Sequence, residues 1–114
     1  MSARPSSKAP PAPKTSAALF AALGDETRLR LMLRLREGPA SITKLTAGSK
    51  ISRQAITKHL RVLEDARLVQ GTRHGRERLW HLDRRRLDEA RGYLDLISKQ
   101  WDAALGRLRT LVED

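Results

Sequence analysis

The segment 51–65 constrains the fold of this chain more than any other part of the sequence. Its second residue is Ser52, a residue type that caps helix N-termini, and apolar residues then recur at helical spacing. These apolar residues are Ala55, Ile56, Leu60 and Leu63. The polar residues that share the other side are Arg53, Gln54, Thr57, Lys58 and Arg61. The segment therefore predicts an amphipathic helix with one buried face and one face open to a partner.

The polar face of this helix, which we call the recognition helix, carries groups that can read the edges of DNA bases. Arg pairs with guanine, Gln with adenine, and Thr hydrogen-bonds to either. A second short helix is predicted over 41–47, ahead of a turn over 48–51 that contains Gly. A helix, a tight turn and a polar-faced helix form the layout of a helix-turn-helix. The sequence therefore predicts a DNA-binding domain.

The net charge of +10 is concentrated in one part of the chain. Residues 44–86 contain twelve basic and four acidic side chains, whereas the rest of the chain contains eleven basic and nine acidic ones. A basic excess confined to one segment is typical of a surface that binds a polyanion. The charge distribution therefore agrees with double-stranded DNA as the partner.

Composition limits the domain organisation. The 114 residues suffice for one domain with one hydrophobic core, and the absence of Cys excludes disulfides and thiolate metal sites. No apolar stretch approaches the length of a membrane span, so we expect no membrane partner and a cytoplasmic, nucleoid-associated protein. Residues 1–15 contain four Pro among Ser, Ala and Lys, which predicts a disordered basic tail. Residues 16–114 would then form the DNA-binding and dimerisation domain.

Two helices are predicted between the tail and the helix-turn-helix. The first covers 16–23 and places Leu19 and Phe20 on one face. The second is capped by Asp25 and ends before Gly38. Its apolar residues lie on nearly every side, so we expect it to be covered from two directions.

A two-stranded ribbon is predicted after the recognition helix. Its strands cover 68–70 and 77–82, and the tip between them covers 71–76, with Gly where a positive φ is useful. The basic side chains on or beside this tip are Arg73, His74, Arg76 and Arg78. A ribbon appended to a helix-turn-helix is a wing, and basic wing tips commonly contact phosphates or enter the minor groove. The alternative is a solvated loop.

A long helix is predicted from Asp83 to Glu113, with apolar residues at both seam positions of a heptad repeat over about four heptads. One position holds Leu87, Leu94, Trp101 and Leu108, and the other holds Ala90, Ile97, Ala104 and Leu111. At 1.5 Å per residue the helix is roughly 45 Å long, more than a small core needs. We therefore expect it to pair with the same helix of a second copy. The alternative is that it packs only on its own domain.

Four stretches of the sequence together resemble the ArsR/SmtB family of winged-helix transcriptional repressors. LGDETRLRL (23–31) resembles the opening of the family's second helix, and ISRQAITKHL (51–60) with LEDARLV (63–69) resembles its recognition helix and exit. GRERLWHLD (75–83) is similar to the return strand of its wing. The resemblance implies a mainly α fold with a small β-hairpin wing, a winged helix-turn-helix that dimerises through its terminal helices. It also implies that the homodimer binds a palindromic operator in its own promoter region.

Two features depart from the family pattern. Metal-sensing members often carry a Cys-x-Cys pair on the first helix of the helix-turn-helix, where this chain has Ser41 and Thr43. Hydroxyls are poor ligands for soft or borderline metal ions, and no His follows His81 to supply the family's other common site. We therefore predict no metal site and no cofactor. Arg67 stands where the family usually has Gly, which costs about 1 kcal/mol if its backbone is left-handed.

The remaining titratable residues predict no catalytic site. His59, His74 and His81 have no spacing that makes a tetrahedral metal site, and no catalytic arrangement of Ser, His and Asp stands out. His59 either donates to a phosphate or lies at the edge of the core. We therefore expect no enzyme activity. A small-molecule effector of unknown identity stays open.

The sequence is interpreted as a sequence-specific DNA-binding transcriptional regulator, a homodimeric repressor that also controls its own gene. The predicted DNA contacts are Arg53, Gln54, Thr57, Lys58, Arg61, Arg73, His74 and Arg76. The predicted dimer interface is formed by Leu19, Phe20, Leu87, Ala90, Leu94, Ile97, Trp101, Ala104 and Leu108. The alternative is an architectural, largely sequence-neutral DNA-binding protein. Against it, Gln54 and Thr57 offer base-edge hydrogen bonds beyond bare charge.

Overall fold

Five helices and three short strands make up the computed structural model, which describes residues 13–113. The helices are α1 (Pro13–Leu23), α2 (Glu26–Leu35), α3 (Ile42–Thr46), α4 (Arg53–Asp65) and α5 (Arg84–Glu113). The strands are β1 (Ala40–Ser41), β2 (Val69–His74) and β3 (Glu77–Leu82), which form one antiparallel sheet in the order β1-β3-β2. Helices α3 and α4 form the helix-turn-helix, and β2 with β3 forms the wing. The predicted mainly α winged helix-turn-helix is therefore confirmed.

The core joins the helix-turn-helix, α1 and the sheet in a single cluster. Its largest fully buried side chains are Leu19, Leu45, Leu60, Leu63, Leu68 and Val69. Burying a Val or Leu side chain stabilises a fold by about 1.5–3 kcal/mol. Each of these side chains therefore contributes an amount that is large beside the net stability of a typical domain. Because α4 supplies Leu60, Leu63 and the buried Ile56, its inner face fixes how its outer face is presented.

Four side chains cap the helix N-termini in the same way, each accepting a hydrogen bond from a backbone N–H three residues later. Asp25 accepts from Arg28 N at 3.0 Å, and Asp83 accepts from Arg86 N at 3.2 Å. The helix-turn-helix uses serines, with Ser41 accepting at 3.2 Å and Ser52 at 3.1 Å. These contacts satisfy N–H groups that the first turn of a helix leaves unpaired. The caps predicted at Asp25, Ser52 and Asp83 are confirmed.

Helix α1 begins earlier than predicted. It starts at Pro13, so residues 13–15, which were assigned to the tail, belong to the folded domain. Pro is favoured in the first turn of a helix because its missing N–H would be unpaired there and its φ is already helical. Residues 1–12 of the predicted tail lie outside the described residues.

The sheet differs from the prediction in two places. The hairpin loop is only two residues long, because β2 runs to His74 and pairs there with Glu77, so most of the predicted tip is strand. The two-residue strand β1 was missed, since it pairs Ala40 with the distant Trp80 and has no strand-length pattern of its own.

Helix α2 is covered from one direction within a single chain, so the prediction of two covered sides is wrong for this chain alone. Leu31, Met32 and Leu35 are buried, whereas Leu29 and Leu33 are 47% and 56% exposed. Helices α1 and α4 and strand β3 pack on α2, and the Arg34 guanidinium of α2 donates to the Lys44 carbonyl of α3 at 2.8 Å. The apolar surface of α2 is therefore wider than the part of it that the domain buries.

Helix α5 is anchored at its start and exposed beyond it. Phe20 and Tyr93 pack ring against ring, with centroids 6.0 Å apart, and Ala90 is buried. The large apolar side chains exposed after this point are Leu94, Leu96, Ile97, Trp101, Leu105, Leu108, Leu111 and Val112. Within residues 13–113, none of the helices has both the length and the apolar character needed to span a bilayer.

Arg86 ties three parts of the fold together from the first turn of α5. Its side chain is 4% exposed, and its guanidinium donates to the carbonyls of Ala66 at 2.9 Å and Thr15 at 3.0 Å. It also pairs with Glu89 at 3.0 Å. These bonds link the end of the recognition helix, the start of α1 and the start of α5, and they satisfy a charge that would otherwise be costly to bury.

Candidate nucleic-acid interface

The recognition helix α4 presents the predicted polar face to solvent. Arg53, Gln54, Lys58 and Arg61 are exposed, and Thr57 is half-buried beside them. The Thr57 hydroxyl donates to the carbonyl of Arg53 at 2.9 Å, so its lone pairs stay free to accept a bond from a base. The helix therefore carries donors and acceptors along one face.

The C-terminal end of α4 is fixed by a reversal of the chain. The N–H of Arg67 donates to the carbonyl of Glu64 at 2.8 Å, and that of Leu68 donates to the carbonyl of Leu63 at 2.9 Å. This pair of bonds is a Schellman motif, which needs a left-handed residue, and Arg67 has φ 63°. The left-handed backbone considered from the sequence is thus present. It turns the chain directly into the first strand of the wing.

His59 faces the core side of α4 rather than the polar face. Its Nδ1 lies 3.2 Å from Nη1 of Arg28 and 3.9 Å from the carboxylate of Asp25. The pKa of Asp25 is lowered, mainly by the hydrogen bond from the backbone N–H of Arg28. Burial opposes this shift, and the nearby His59 and Arg28 side chains add smaller lowering effects. Of the two roles considered for His59, the structure supports the one at the edge of the core.

The wing tip projects Arg73, His74 and Arg76, all of them exposed. The strands join through Gly75 and Arg76, and Gly75 has φ 66°. The favoured two-residue hairpin turns require a positive φ at their first loop residue, which Gly supplies without strain. The turn therefore places basic side chains at the end of the ribbon.

The recognition helix and the wing form the walls of a concave surface, and the groove that it encloses has a volume of about 640 Å³. Its lining residues are Ser41, Ile42, Thr43, Arg53, Thr57, Arg61, Glu64, Asp65, Arg76, Glu77, Arg78 and Trp80. Four of the predicted DNA contacts, Arg53, Thr57, Arg61 and Arg76, thus meet on one surface. The other four, Gln54, Lys58, Arg73 and His74, lie outside it, on the outer side of the helix and on the ribbon.

Arg78 has a different environment from the other basic residues of the wing. Its Nη2 donates to the Glu64 carboxylate at 3.2 Å, and its guanidinium lies over the Trp80 ring, 4.9 Å from the centroid. The sequence predicts Arg78 on or beside the wing tip, with the other basic side chains. The Trp80 contact follows from the strand, because residues two apart share a face, but the Glu64 contact depends on the packing of the wing against α4.

The positions matching the family's metal-sensing cysteines serve the helix-turn-helix itself. The Ser41 hydroxyl caps α3, and Thr43 is exposed, 3.5 Å from the guanidinium of Arg53. Over residues 13–113, no group of three or more metal-ligating side chains lies close enough together to hold an ion.

The residues predicted for the dimer interface divide into three groups by exposure. Leu19 and Ala90 are 0% and 8% exposed and belong to the domain's own core, which corrects their assignment to an interface. Burial inside the domain leaves them almost no surface for a partner. Phe20 and Leu87 are partly buried against the same core. The members that keep open surface on α5 are Leu94, Ile97, Trp101, Leu108 and the half-buried Ala104.

Known proteins with similar sequences are helix-turn-helix regulators. The sequence profile of the Helix-turn-helix domain family matches residues 23–72. The HTH-type transcriptional regulator Rv2034 of Mycobacterium tuberculosis is 36% identical over 92 residues, which are 81% of this chain and 83% of that protein. A transcriptional repressor SmtB homolog of Synechocystis sp. is 42% identical over 60 residues, which are 53% of this chain and 46% of that protein.

Solved structures share the fold. An ArsR-like transcriptional regulator from Rhodococcus sp. RHA1 superposes with a TM-score of 0.77 at 33% identity, covering 86% of this chain and 92% of that one. The homodimeric winged helix-turn-helix DNA-binding domain of Mb0332 from Mycobacterium bovis has a TM-score of 0.61 at 19% identity. It covers 76% of this chain and 80% of that one, and the likeness concerns the fold alone.

Proposed function

The chain belongs to the ArsR/SmtB family of winged helix-turn-helix DNA-binding transcriptional regulators, and we propose that it represses its own promoter as a homodimer on a palindromic operator. The observation that carries the proposal is the concave surface on which basic groups of the recognition helix and the wing meet. The relatives are regulators and repressors, and no observation favours the architectural alternative. As a DNA-binding regulator the protein acts in the cytoplasm, and the proposal includes association with the nucleoid.

Specificity is assigned to the outer face of α4. Gln54 and Arg53 can each make bidentate bonds to a base in the major groove, to adenine and to guanine respectively, and both are exposed near the start of the helix. Thr57 and Lys58 lie one turn further on and would extend the contact. Arg61 would bind the backbone, because it lies closer to the helix end that emerges from the groove.

The wing is assigned to the phosphate backbone and the neighbouring minor groove. Arg73, His74 and Arg76 extend from its end, and such side chains add affinity without reading sequence. Contacts of this kind release counterions from DNA, so binding should weaken steeply as salt rises.

Homodimerisation is assigned to α5. Its apolar seam has exposed members from Leu94 to Leu111, and a helix with that much unpaired apolar surface is expected to bury it against a partner. The protein of like fold from Mycobacterium bovis is homodimeric. A two-fold dimer presents two recognition helices related by symmetry, which matches a palindromic site.

Metal sensing through cysteine thiolates, which is common in the family, is not available to this chain. A chain without Cys cannot hold a metal through thiolates, so release from DNA would depend on an effector of other chemistry or on the amount of protein present.

The proposal is tested by comparing the binding of DNA from upstream of its own gene with that of scrambled DNA across a salt series. We expect a preference of about 10³-fold or more for the upstream DNA at physiological salt. Footprinting should then show two protected half-sites about 10 base pairs apart or a multiple of that spacing. Equal binding to both DNAs, lost together as salt rises, would contradict autoregulation and specificity at this promoter.

A further inference from the structure

Arg78 bridges the wing and the recognition helix, although its position on the ribbon suggests another phosphate contact. It lies on β3 opposite Arg73 of β2, and its side chain is 56% exposed. Its guanidinium nevertheless has two protein partners, the Glu64 carboxylate on the last turn of α4 and the face of the Trp80 ring. The charge is therefore already paired before DNA arrives.

Trp80 gives this bridge a rigid base. Its side chain is 5% exposed, and its backbone pairs with Ala40 of β1 on one side and Gly71 of β2 on the other. A cation over an aromatic face is attracted by the ring's quadrupole, so the buried ring holds the guanidinium in one place. From there Nη2 reaches across to Glu64 at 3.2 Å.

Gly71 leaves the room that Arg78 occupies. A Cβ added at Gly71 would overlap the Nε of Arg78 and crowd its Cζ, at 3.0 Å. The φ of Gly71 lies outside the left-handed region, so the backbone there does not require Gly. Gly at this position therefore leaves space for the guanidinium, and a larger residue would displace it.

We propose that Arg78 is a positioning residue that holds the wing at a fixed separation from the recognition helix through Glu64 and Trp80. The bridge, which we call the wing latch, consists of Arg78, Glu64, Trp80 and Gly71. The recognition helix and the wing must fit two adjacent features of one duplex, so a fixed separation is a form of preorganisation. Without the latch, DNA would have to restrict the angle between the wing and the recognition helix each time it binds. For its effect on DNA binding, this inference rests on the proposed function.

A phosphate contact at Arg78 would have the opposite consequence for Glu64. If Arg78 left Glu64 to bind a phosphate, the carboxylate would only repel DNA, and Glu64→Gln would strengthen binding. The wing latch predicts that Glu64→Gln weakens binding, although it removes a negative charge from the DNA-facing surface. The sign of the change therefore separates the two roles.

Asp65 provides a matched control. It is the next residue, it lines the same concave surface, and among the residues that the structure describes it has no ion-pair partner. Asp65→Asn changes the charge by the same amount as Glu64→Gln and leaves the latch intact. It should leave DNA binding unchanged or strengthen it.

The first experiment measures binding of these variants to the tightest duplex selected by the wild-type protein from random DNA, across a salt series. We expect Glu64→Gln, Arg78→Gln and Gly71→Ala each to weaken binding about 5- to 20-fold, because each contact is partly exposed and modest alone. The salt slope should stay that of the wild type, since Arg78 is paired within the protein. Stronger binding by Glu64→Gln, or a slope lowered by about one unit per protomer in Arg78→Gln, would overturn the proposal.

Gly71→Ala gives a second, independent test. In the wild-type background it should displace Arg78 and weaken binding as much as Arg78→Gln does. In an Arg78→Ala background the added methyl meets no guanidinium, so Gly71→Ala should have no further effect. Equal effects of Gly71→Ala in the two backgrounds would contradict the role assigned to Gly71.

A measurement without DNA separates failure of the latch from failure of the proposed function. Because the chain has no Cys, Lys58→Cys and His74→Cys would carry the only two spin labels, one on the recognition helix and one on the wing. Labelled chains are diluted with unlabelled ones, so that the distances measured lie within one chain. The distance distribution should broaden in Glu64→Gln and Gly71→Ala and keep its width in Asp65→Asn. Equal widths in the labelled parent protein and in all three variants would overturn the wing latch, whatever the DNA result.

Discussion

The DNA-facing half of the molecule and the long C-terminal helix expose opposite kinds of surface. The recognition helix and wing project Arg, Lys, Gln and His side chains over a closed apolar core. Helix α5 beyond Tyr93 projects Leu, Ile and Trp side chains, with none of the large ones buried. A surface of charged groups is stable in water, whereas a continuous apolar stripe calls for a cover. The comparison shows that a single chain buries the apolar core behind the DNA-facing half, whereas it leaves the apolar stripe of α5 open for the proposed second chain.

The largest effect is expected from a substitution in the apolar seam of α5, which should abolish the proposed dimer. Trp101, 62% exposed in the single chain, should lie inside the proposed dimer, so Trp101→Glu should convert the dimer to monomer at micromolar concentration. Operator affinity should fall by about 10²-fold or more because one half-site alone is bound. Analytical ultracentrifugation measures the mass.

The matched control is Lys99→Glu, an exposed position on the same helix outside the heptad seam. This variant should stay dimeric. A Trp101→Glu protein that keeps the wild-type mass would remove α5 from the interface.

The second prediction concerns the stability of the fold at Arg86, which links α1, the end of the recognition helix and the start of α5. Arg86→Met should lower the free energy of unfolding by about 2–4 kcal/mol, because the carbonyls of Ala66 and Thr15 and the Glu89 carboxylate lose their partner. Urea unfolding at constant protein concentration measures the change. The control is Arg84→Met, an exposed residue of the same turn, which should change stability by less than about 0.5 kcal/mol.

The next prediction compares two parts of the DNA-facing half: the recognition helix, which is proposed to contact bases, and the wing, which is proposed to contact the DNA backbone. Gln54→Ala should cost about 1–3 kcal/mol on the selected site and relax the preference at one base pair. Arg76→Ala on the wing should weaken binding to all sequences alike. Binding to a panel of single-base operator variants measures both. An unchanged preference in Gln54→Ala would show that the helix lies in a different register.

The smallest effect concerns the exit of the recognition helix. Arg67→Gly should stabilise the fold by about 1 kcal/mol, because Gly adopts the left-handed φ of 63° without the clash of a Cβ. Thermal unfolding should show the gain, and the affinity for DNA should change little. A loss of stability would mean that contacts of the Arg67 side chain outweigh the strain of its backbone.

Local signals explain why most of the fold is predictable from the sequence. The caps at Asp25, Ser52 and Asp83 need only residues within three positions, and the apolar face of α4 needs only its own periodicity. The two-residue strand β1 is different, because it exists only through its pairing with β3, about forty residues away.

Long-range packing explains what the sequence could not predict. The apolar pattern of α1 shows that Leu19 is buried, but it does not show whether a partner or its own core covers it. In the same way, the pairing of Arg78 with Glu64 joins residues on two elements whose packing no local pattern specifies. The exposure of Leu29 and Leu33 was unpredictable for the same reason. The apolar pattern of a helix shows which sides are apolar, but it does not show which neighbouring elements cover them.

The seam of α5 has a consequence for the spacing of DNA sites. In the proposed dimer, a slip of the two helices by one heptad would shift them along each other by about 10 Å. That distance corresponds to about three base pairs of B-DNA, which would displace one recognition helix by about a third of a turn around the double helix. A seam of leucines alone would tolerate such a slip, whereas Trp101 is the one aromatic residue of the seam, and a shifted alignment would pack its ring against side chains of other sizes. The helix that joins two chains would thereby act as a ruler for the operator.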